Sequence, residues 1–388
     1  MVINSFPNDT RLSAGQDMIC FSHLRWDFVY QRPQHLISRF AKDRRVFFIE
    51  EPIFHDGNAE MRVSRREDNL HVVVPHLPHG SSPGDTDSGL RILVDQLIDE
   101  HQIRDHVSWY YTPMMLGWSR HLTPTAVVYD CMDELSAFKN APRELIDNEK
   151  ELMALADHVF TGGRSLYEAK RERHESVHCF PSSIDVEHFS KARNVDEDPE
   201  DQKAIPHPRI GFFGVIDERS DLVLLEKIAE LRPDWHFVMI GPVVKINDAD
   251  LPRAGNIHYL GGKNYNELPE YVGGWDVAMM PFALNESTRF ISPTKTPEYL
   301  AAGLPVVSTP VRDVVRPYGE EGLVQIASTP EEFVEAIENA MGEDADERDR
   351  RVGEFLADMS WDKTYRLMAE LLDKAASTQK EVAAATFV

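Results

Sequence analysis

The sequence "SPTKTPEYLAAGLPVVST", residues 292–309, gives the clearest indication of the fold. An Ala- and Leu-rich segment ends at Gly-Leu-Pro and continues into the β-branched run "PVVST". Ser292 is typical of an N-cap, and Pro293 suits a first helical turn, where backbone N–H groups have no intrahelical partner. The pattern predicts a helix followed by a buried strand, with the positive end of the helix open to an anion.

Two charged side chains stand near the start of this predicted helix. Lys295 is unfavourable for the helix dipole in the first turn, and Glu298 lies on the same face three residues later. An ordinary ion pair on a solvated surface would explain these two residues by themselves. Because breaks of a local rule often mark functional sites, we expect Lys295 to bind a phosphate and Glu298 to accept hydrogen bonds from sugar hydroxyls.

The rest of the chain predicts an α/β fold. Short β-branched or aromatic runs alternate with amphipathic segments, as in parallel sheets with crossover helices. Because 388 residues are too many for one ordinary core, we predict two βα domains. The predicted boundaries are 1–190 for the first domain, 191–208 for a charged linker, 209–357 for the second domain, 358–376 for a further helix and 377–388 for a flexible tail. A loop rich in Pro, Gly, Ser and Asp is predicted at 76–89.

Composition limits the classes of function. With 41 Lys and Arg against 65 Asp and Glu, the net charge of -24 argues against a nucleic-acid partner, which requires a basic face. An anionic ligand therefore needs local cations. The three cysteines, Cys20, Cys131 and Cys179, have no CxxC spacing and are expected to be reduced and mostly buried, as in a cytoplasmic protein.

No targeting or membrane-spanning segment is predicted. The apolar runs fall far short of the roughly 20 residues that cross a bilayer, and the N-terminus has no apolar signal core. Two basic clusters, at 38–45 and 169–174, leave open a weak peripheral contact with the inner face of a membrane, although most such clusters are solvated surface. The oligomeric state is left open.

Several more stretches stand in the order of a known family: "ALADHVFTGGRSLYEAK" (154–170), "CFPSSIDVEHF" (179–189), "GFFGVIDERSDLVLLEKIAE" (211–230), "HFVMIGP" (236–242) and "NIHYLGGKNYNELPEYVGGWDVAMMPF" (256–282). Together with "PEYLAAGLPVVST", they resemble the GT-B glycosyltransferases, in particular the retaining family 4 group. The resemblance covers about residues 155–375. It implies two Rossmann-like domains that face each other across a cleft, with the acceptor on the first domain, the nucleotide sugar on the second, and the helix at 358–376 crossing back to the first.

The resemblance also implies a donor site. Arg219 and Lys295 would be the cations on a nucleoside diphosphate, and Glu298 would bind the ribose hydroxyls. Positive charge at a departing diphosphate serves the transfer without a metal, so no metal site and no cofactor beyond the nucleotide sugar are expected. The implied donor-site residues are Gly214, Arg219, Gly241, Pro242, Tyr259, Leu260, Gly261, Ser292, Pro293, Thr294, Lys295 and Glu298, with Gly214 close to the phosphates and the backbone of 259–261 reading the base.

One position departs from the family pattern. Phe290 stands where the family has a second glutamate, eight residues before Glu298, so the donor sugar and the stereochemical outcome stay open. The remaining Lys-x-x-Glu is similar to the Lys-x-x-Gln of xanthan-type glucuronosyltransferases. This similarity favours a uridine diphosphate sugar.

The first half supplies the acceptor side. In "CFSHLRWDFVYQRPQHLISRFA" (20–41), a strand ends at Ser22, and the loop after it lies where open α/β sheets bind ligands. "WDFVYQRPQHL" and "YDCMDE" (129–134) resemble the bacterial polysaccharide enzymes that include teichuronic-acid-type glycosyltransferases. We assign acceptor binding to Arg25, Trp26, Asp27, Arg32 and Asp133, and catalysis to His23 and Asp130 together with Arg219 and Lys295. A structural role for a lone histidine such as His23 is the alternative.

The predicted function is transfer of a sugar from a nucleoside diphosphate sugar to a hydroxyl of a glycan or lipid-linked acceptor in cell-surface polysaccharide synthesis. A nucleotide-sugar 2-epimerase of the same fold would form product without an acceptor, and a non-catalytic nucleotide-sugar-binding protein would bind without turnover. A dehydrogenase is disfavoured because "RIGFFGVIDER" lacks the GxGxxG spacing. Three Asp-x-Asp strings, at 85–87, 248–250 and 344–346, could be mistaken for the metal-binding motif of the other glycosyltransferase fold. Such matches are expected by chance in so acidic a chain.

Overall fold

A computed structural model describes residues 16–386, and for 375–386 it describes the backbone alone. The prediction that the N-terminus has no apolar signal core concerns residues 1–15, which lie outside the described range. Two sheets with flanking helices make up the described chain. This confirms the predicted α/β class with two Rossmann-like domains.

The first sheet is parallel except for one edge strand. Its order is β3-β5-β2-β1-β6-β7-β8-β9, and β4 pairs antiparallel with β5. The strands are β1 (Asp17–Ser22), β2 (Val46–Glu50), β3 (Ile53–His55), β4 (Glu60–Glu67), β5 (Leu70–Pro78), β6 (His106–Tyr110), β7 (Ala126–Cys131), β8 (His158–Thr161) and β9 (Val177–Cys179). The helices are α1 (Arg32–Phe40), α2 (Pro83–Glu100), α3 (Leu116–Ser119), α4 (Glu144–Leu155), α5 (Arg164–Lys170) and α6 (Val186–Phe189). Central strands such as β1 and β6 are buried along their whole length, because helices cover both faces of the sheet.

The second sheet is parallel throughout, in the order β12-β11-β10-β13-β14-β15. Its strands are β10 (Arg209–Phe213), β11 (His236–Ile240), β12 (Ile257–Gly261), β13 (Val277–Met280), β14 (Val306–Ser308) and β15 (Gln325–Ile326). The helices are α7 (Leu222–Leu231), α8 (Leu268–Val272), α9 (Lys295–Ala301), α10 (Arg312–Val314), α11 (Pro330–Met341), α12 (Ala345–Leu356) and α13 (Trp361–Thr386). The carboxyl ends of β10 and β11 therefore lie side by side and bring their loops to one edge.

The predicted loop at 76–89 is wrong at both ends. Strand β5 continues through Pro78, and α2 begins at Pro83 behind the N-cap Ser82, whose hydroxyl accepts a hydrogen bond from the Asp85 backbone N–H. Strands β3 and β4 were not predicted. The sequence of β4, "EMRVSRRE", lacks apolar alternation because this edge strand is largely exposed.

The predicted linker at 191–208 packs against the second domain instead of spanning between domains. Gln202 accepts a hydrogen bond from the Trp275 indole at 2.9 Å, and Asp198 pairs with Arg209 at 2.6 Å. Ile184 already belongs to the core of the second domain. The chain thus enters that domain before residue 190, and the charges that suggested a linker are partly used in ion pairs.

Helix α13 returns to the first domain, as predicted. Met368, Ala369 and Leu372 are buried in a first-domain core cluster, and Trp361 stacks on His35 of α1 at 4.6 Å. The helical backbone continues to Thr386, ten residues past the predicted end at 376. Between residues 16 and 386, no helix is both long and apolar enough to cross a membrane. Cys20, Cys131 and Cys179 are free thiols, the first two buried and the third partly buried.

Candidate active site

A cavity of about 870 Å³ lies in the cleft between the two domains. One wall comes from the loops after β10, β11 and β12 and from the segment that leads into α9. The opposite wall comes from the loop between β1 and α1 and from the loop after β7. Direct contacts hold the walls together: the Ser182 hydroxyl donates to the Ser292 carbonyl at 2.7 Å, and the Ser165 backbone N–H donates to Asp313 at 3.0 Å.

Two glycines allow close backbone approach at the ends of β10 and β11. Gly214 has φ +145° and Gly241 has φ +147°, values that other residues rarely adopt. A Cβ on Gly241 would lie 1.8 Å from the Gly214 carbonyl oxygen, and one on Gly214 would lie 2.1 Å from Lys295 Cε. The two glycines therefore make room for Lys295 and leave backbone exposed to the cavity.

Lys295 enters the cavity from the start of α9. The helix begins at Lys295 rather than next to Ser292, and it is seven residues long. Tyr299, buried on the opposite side, accepts a hydrogen bond from the Phe213 backbone N–H at 2.9 Å and thereby fixes α9 against β10. Lys295 makes no hydrogen bond or ion pair within the described chain, and burial lowers its pKa. It is a cation without a carboxylate bonded to it.

Glu298 lies one helical turn further on and is only 6% exposed. Its Oε2 atom is shielded from solvent and has no hydrogen-bond partner among the described residues. Burial raises the pKa of this carboxyl to about 7, and the charge of Lys295 opposes that rise. An unpartnered buried carboxylate oxygen is costly unless a ligand satisfies it.

Arg219 also lines the cavity, but its guanidinium already forms an ion pair with a carboxylate. Its guanidinium donates to both oxygens of Asp217, with the shortest contact at 2.8 Å, and Asp217 is 5% exposed. The ring of Phe138 from the first domain lies 5.7 Å from the Arg219 guanidinium carbon. The ion pair with Asp217 fixes the orientation of the Arg219 guanidinium. The two predicted diphosphate-binding cations therefore differ, because Arg219 is bonded to a carboxylate and Lys295 is not.

The first domain contributes one carboxylate without a bonded partner. Asp133 follows β7, lines the cavity, and has no side-chain hydrogen bond in the range that the structure describes. Burial raises its pKa, and the nearby charge of Arg219 opposes the rise. Of the other predicted acceptor residues, Trp26, Asp27 and Arg32 line the same wall.

Four first-domain residues that were predicted to act in acceptor binding or catalysis have different surroundings from those expected. Asp130 is fully buried and accepts three hydrogen bonds from Arg32, the shortest at 2.8 Å, so it does not line the cavity. His23 also lies outside the lining, and burial lowers its pKa to about 4, which leaves it neutral at pH 7. Arg25 binds Glu50 at 2.9 Å instead of facing the cleft. Arg32 touches the cavity, but its guanidinium is committed to Asp130.

On the donor wall the structure brings together most of the predicted residues. Those lining the cavity are Gly214, Arg219, Gly241, Pro242, Ser292, Pro293, Thr294, Lys295 and Glu298. Tyr259, Leu260 and Gly261 do not line it, and the Tyr259 hydroxyl donates to the Pro252 carbonyl at 3.2 Å. The following residues, 262–266, line it in their place. Phe290 is also absent from the lining, because its ring packs against a core cluster of the first domain.

Tyr265 is a cavity residue that sequence reasoning missed. Its ring lies between Tyr30 of the first domain, at 4.3 Å, and His188, at 4.2 Å. Its place just beyond the loop that follows β12 is the signal that could have identified it, since ligands bind at that edge of the sheet. Its stacking partners are far away in the sequence, and no local pattern reveals them.

Comparisons with known proteins agree with this architecture. Residues 207–343 match the family model described as Glycosyl transferases group 1. Over 285 residues, 66% of this chain and 69% of the relative, the chain is 25% identical to the putative teichuronic acid biosynthesis glycosyltransferase TuaH of Bacillus subtilis (strain 168).

Two solved structures show a similar fold. Sucrose-phosphate synthase from Thermosynechococcus elongatus superposes with a TM-score of 0.71 at 13% identity, over 94% of this chain and 100% of the other. A UDP-forming trehalose-phosphate synthase from Burkholderia xenovorans superposes with a TM-score of 0.66 at 13% identity, over 93% and 98%. At such identities the likeness establishes the fold, which is GT-B.

Proposed function

We propose that this chain is a glycosyltransferase of the GT-B fold that transfers a sugar from a nucleoside diphosphate sugar to a hydroxyl of a glycan or lipid-linked acceptor. A uridine diphosphate carrier is favoured. The observation that carries the proposal is that Lys295 and Arg219 line one cavity together with the glycine turns at the ends of β10 and β11, and that Lys295 lies against Gly214. Unpaired positive charge, exposed backbone N–H groups and a carboxylate that can accept hydrogen bonds from hydroxyls together match a nucleoside diphosphate.

The donor would lie along the wall of the second domain. Lys295, lacking a bonded carboxylate, would bind the diphosphate as its counter-ion, and Arg219 would add a second cation held in place by Asp217. Glu298 would accept hydrogen bonds from the ribose through its unpartnered oxygen. The carrier UDP is supported by the Lys-x-x-Glu spacing and by the UDP-forming trehalose-phosphate synthase of the same fold.

The reaction breaks the bond between the anomeric carbon and the diphosphate oxygen, whose electron pair leaves with the diphosphate. The acceptor oxygen forms the new bond, and its proton passes to the departing phosphate oxygen. Lys295 and Arg219 would stabilise the charge that develops on that oxygen. Asp133, the carboxylate of the first domain that faces Arg219, would orient the acceptor hydroxyl in place of His23 and Asp130.

The finer features follow the family resemblance. We propose retention of the anomeric configuration and a reaction that needs no metal, because two side-chain cations serve the leaving group. We also propose a cytoplasmic enzyme of cell-surface polysaccharide synthesis, which the likeness to the putative teichuronic acid biosynthesis glycosyltransferase supports. An acceptor of that kind would enter past Trp26 and Asp27.

A binding and turnover screen in EDTA tests the proposal. The purified chain is titrated with UDP, GDP, ADP and their common sugars by thermal shift, and the products are analysed by mass spectrometry with and without polysaccharide acceptors. We expect one nucleoside diphosphate to stabilise the protein and sugar transfer to require an acceptor. Product without an acceptor would indicate an epimerase, binding without any turnover would indicate a non-catalytic protein, and a folded protein that no nucleotide stabilises would refute the donor site.

A further inference from the structure

Tyr265 lines the same cavity wall as Glu298, and each of the two residues has a buried side-chain oxygen without a hydrogen-bond partner. Tyr265 begins a short 3-10 turn at 265–267, directly after the loop that follows β12. Its hydroxyl oxygen is shielded from solvent and has no hydrogen-bond partner in the described part of the chain, and the same holds for Glu298 Oε2. A buried polar atom without a hydrogen-bond partner destabilises the fold, so two of them in one cavity wall point to a ligand that satisfies both.

The two groups are near enough to influence each other. Burial raises the pKa of Tyr265 far above its ordinary value, and the charge of Glu298 is the largest further contribution in the same direction. Glu298 can only accept hydrogen bonds when ionised, whereas a tyrosine hydroxyl can both donate and accept. A vicinal diol presents two hydroxyls of the same dual character, and it would satisfy both groups at once.

Stacking fixes where the Tyr265 hydroxyl points. Its ring is nearly parallel to His188, with 9° between the planes, and His188 Nε2 lies 3.0 Å from the Tyr265 carbonyl oxygen. On the other side, Tyr30 stacks on it with 25° between the planes. Because Tyr30 belongs to the loop that leads into α1, this part of the cavity is complete only when both domains are together.

We propose that Tyr265 is a specificity-determining residue whose hydroxyl binds the ribose diol of the donor beside Glu298. This inference rests on the proposed function and adds a second ribose-binding side chain to its donor site. A site that hydrogen-bonds a substrate hydroxyl discriminates strongly against an analogue that lacks it, since the protein groups are then left unpaired. The enzyme should therefore prefer ribonucleotides to their deoxy analogues.

Calorimetric titration of the full chain with UDP, 2′-deoxy-UDP and 3′-deoxy-UDP tests the assignment. For the wild-type protein we expect at least tenfold weaker binding of one deoxy analogue. Tyr265→Phe keeps the ring and its stack, and should weaken UDP binding by about 3- to 10-fold while leaving the affinity for that analogue nearly unchanged. Tyr259→Phe is the matched control, because its hydroxyl bonds to backbone outside the cavity, and it should change neither affinity.

The outcomes separate the two proposals. If wild-type protein binds UDP but Tyr265→Phe leaves both ratios of UDP to deoxy-UDP affinity unchanged, Tyr265 is only a stacking residue and the inference is refuted. If the folded wild-type protein binds neither UDP nor any other nucleoside diphosphate, the donor site itself is refuted and this inference with it. Thermal unfolding of each variant without ligand establishes that loss of binding is not loss of fold.

Discussion

Replacing Lys295 by methionine should remove most of the affinity for UDP without weakening the fold. Lys295 has no bonded carboxylate in the described structure, whereas Arg219 is held by Asp217. The diphosphate would therefore be its main counter-ion. A hydrogen bond to a charged group contributes about 1.5–3 kcal/mol, which corresponds to a loss of about 13- to 160-fold in affinity.

Thermal shift makes the effect measurable. A ligand at about 100 times its dissociation constant stabilises the folded state by about 2.7 kcal/mol. At the same UDP concentration, Lys295→Met should retain only about 1.3 to about 0.3 kcal/mol of that stabilisation. Without ligand, the variant should melt at the same temperature as the wild type or higher, because a buried charge without a bonded partner is removed.

A second lysine of the cavity provides the control. Lys263 also lines it, but its ammonium group binds Asp201 at 2.5 Å. Lys263→Met should keep the UDP-dependent shift in melting temperature close to that of the wild type. Equal UDP-dependent shifts in Lys295→Met and wild-type protein would show that Lys295 does not bind the diphosphate. Equal losses in the two lysine variants would show that the missing carboxylate partner of Lys295 makes no difference.

Three further variants test the charges around the site. Burial raises the pKa of Glu298 to about 7, above its unfolded value of 4.5. Its protonated form therefore stabilises the fold fully below pH 4.5, and this contribution of about 3 kcal/mol is lost as the pH rises through 7. Urea titrations from pH 4.5 to 8 should show a flatter stability profile in Glu298→Gln, and parallel profiles would contradict it. Asp130→Asn leaves buried Arg32 without its carboxylate and should lower the free energy of unfolding by about 3–5 kcal/mol, and a change of less than 1 kcal/mol would contradict the pair. Asp217→Asn makes the surroundings of Arg219 one charge more positive and should tighten UDP binding by about fivefold, measured by calorimetry. Weaker UDP binding in this variant would contradict the prediction and would show that Asp217 serves mainly to orient the guanidinium.

The donor wall could be predicted because each of its parts is a local pattern in the sequence. The turns at Gly214 and Gly241 each follow a β-branched or aromatic run, and Lys295 and Glu298 share one short helix. The start of that helix was misplaced, since Pro293 and Thr294 form a turn before α9 and no side chain caps it. Local sequence thus identifies which residues line this wall of the cavity better than it identifies helix ends.

The acceptor wall was harder because its residues are positioned by long-range contacts. Asp130 and Asp133 both follow the apolar run of β7, and the sequence does not show that Arg32 lies across from the first of them. His23 directly follows a buried strand and is itself partly buried. For Tyr265 the contacts come from Tyr30 and His188, which no local periodicity connects.

A crystal structure of the protein with UDP, grown in EDTA, would show directly whether the donor site binds a nucleoside diphosphate. We expect the diphosphate between the Gly214 backbone and the ammonium group of Lys295, with the ribose within hydrogen-bond distance of Glu298. Nucleotide bound elsewhere on the molecule, or diphosphate density without contact to Lys295, would contradict this expectation.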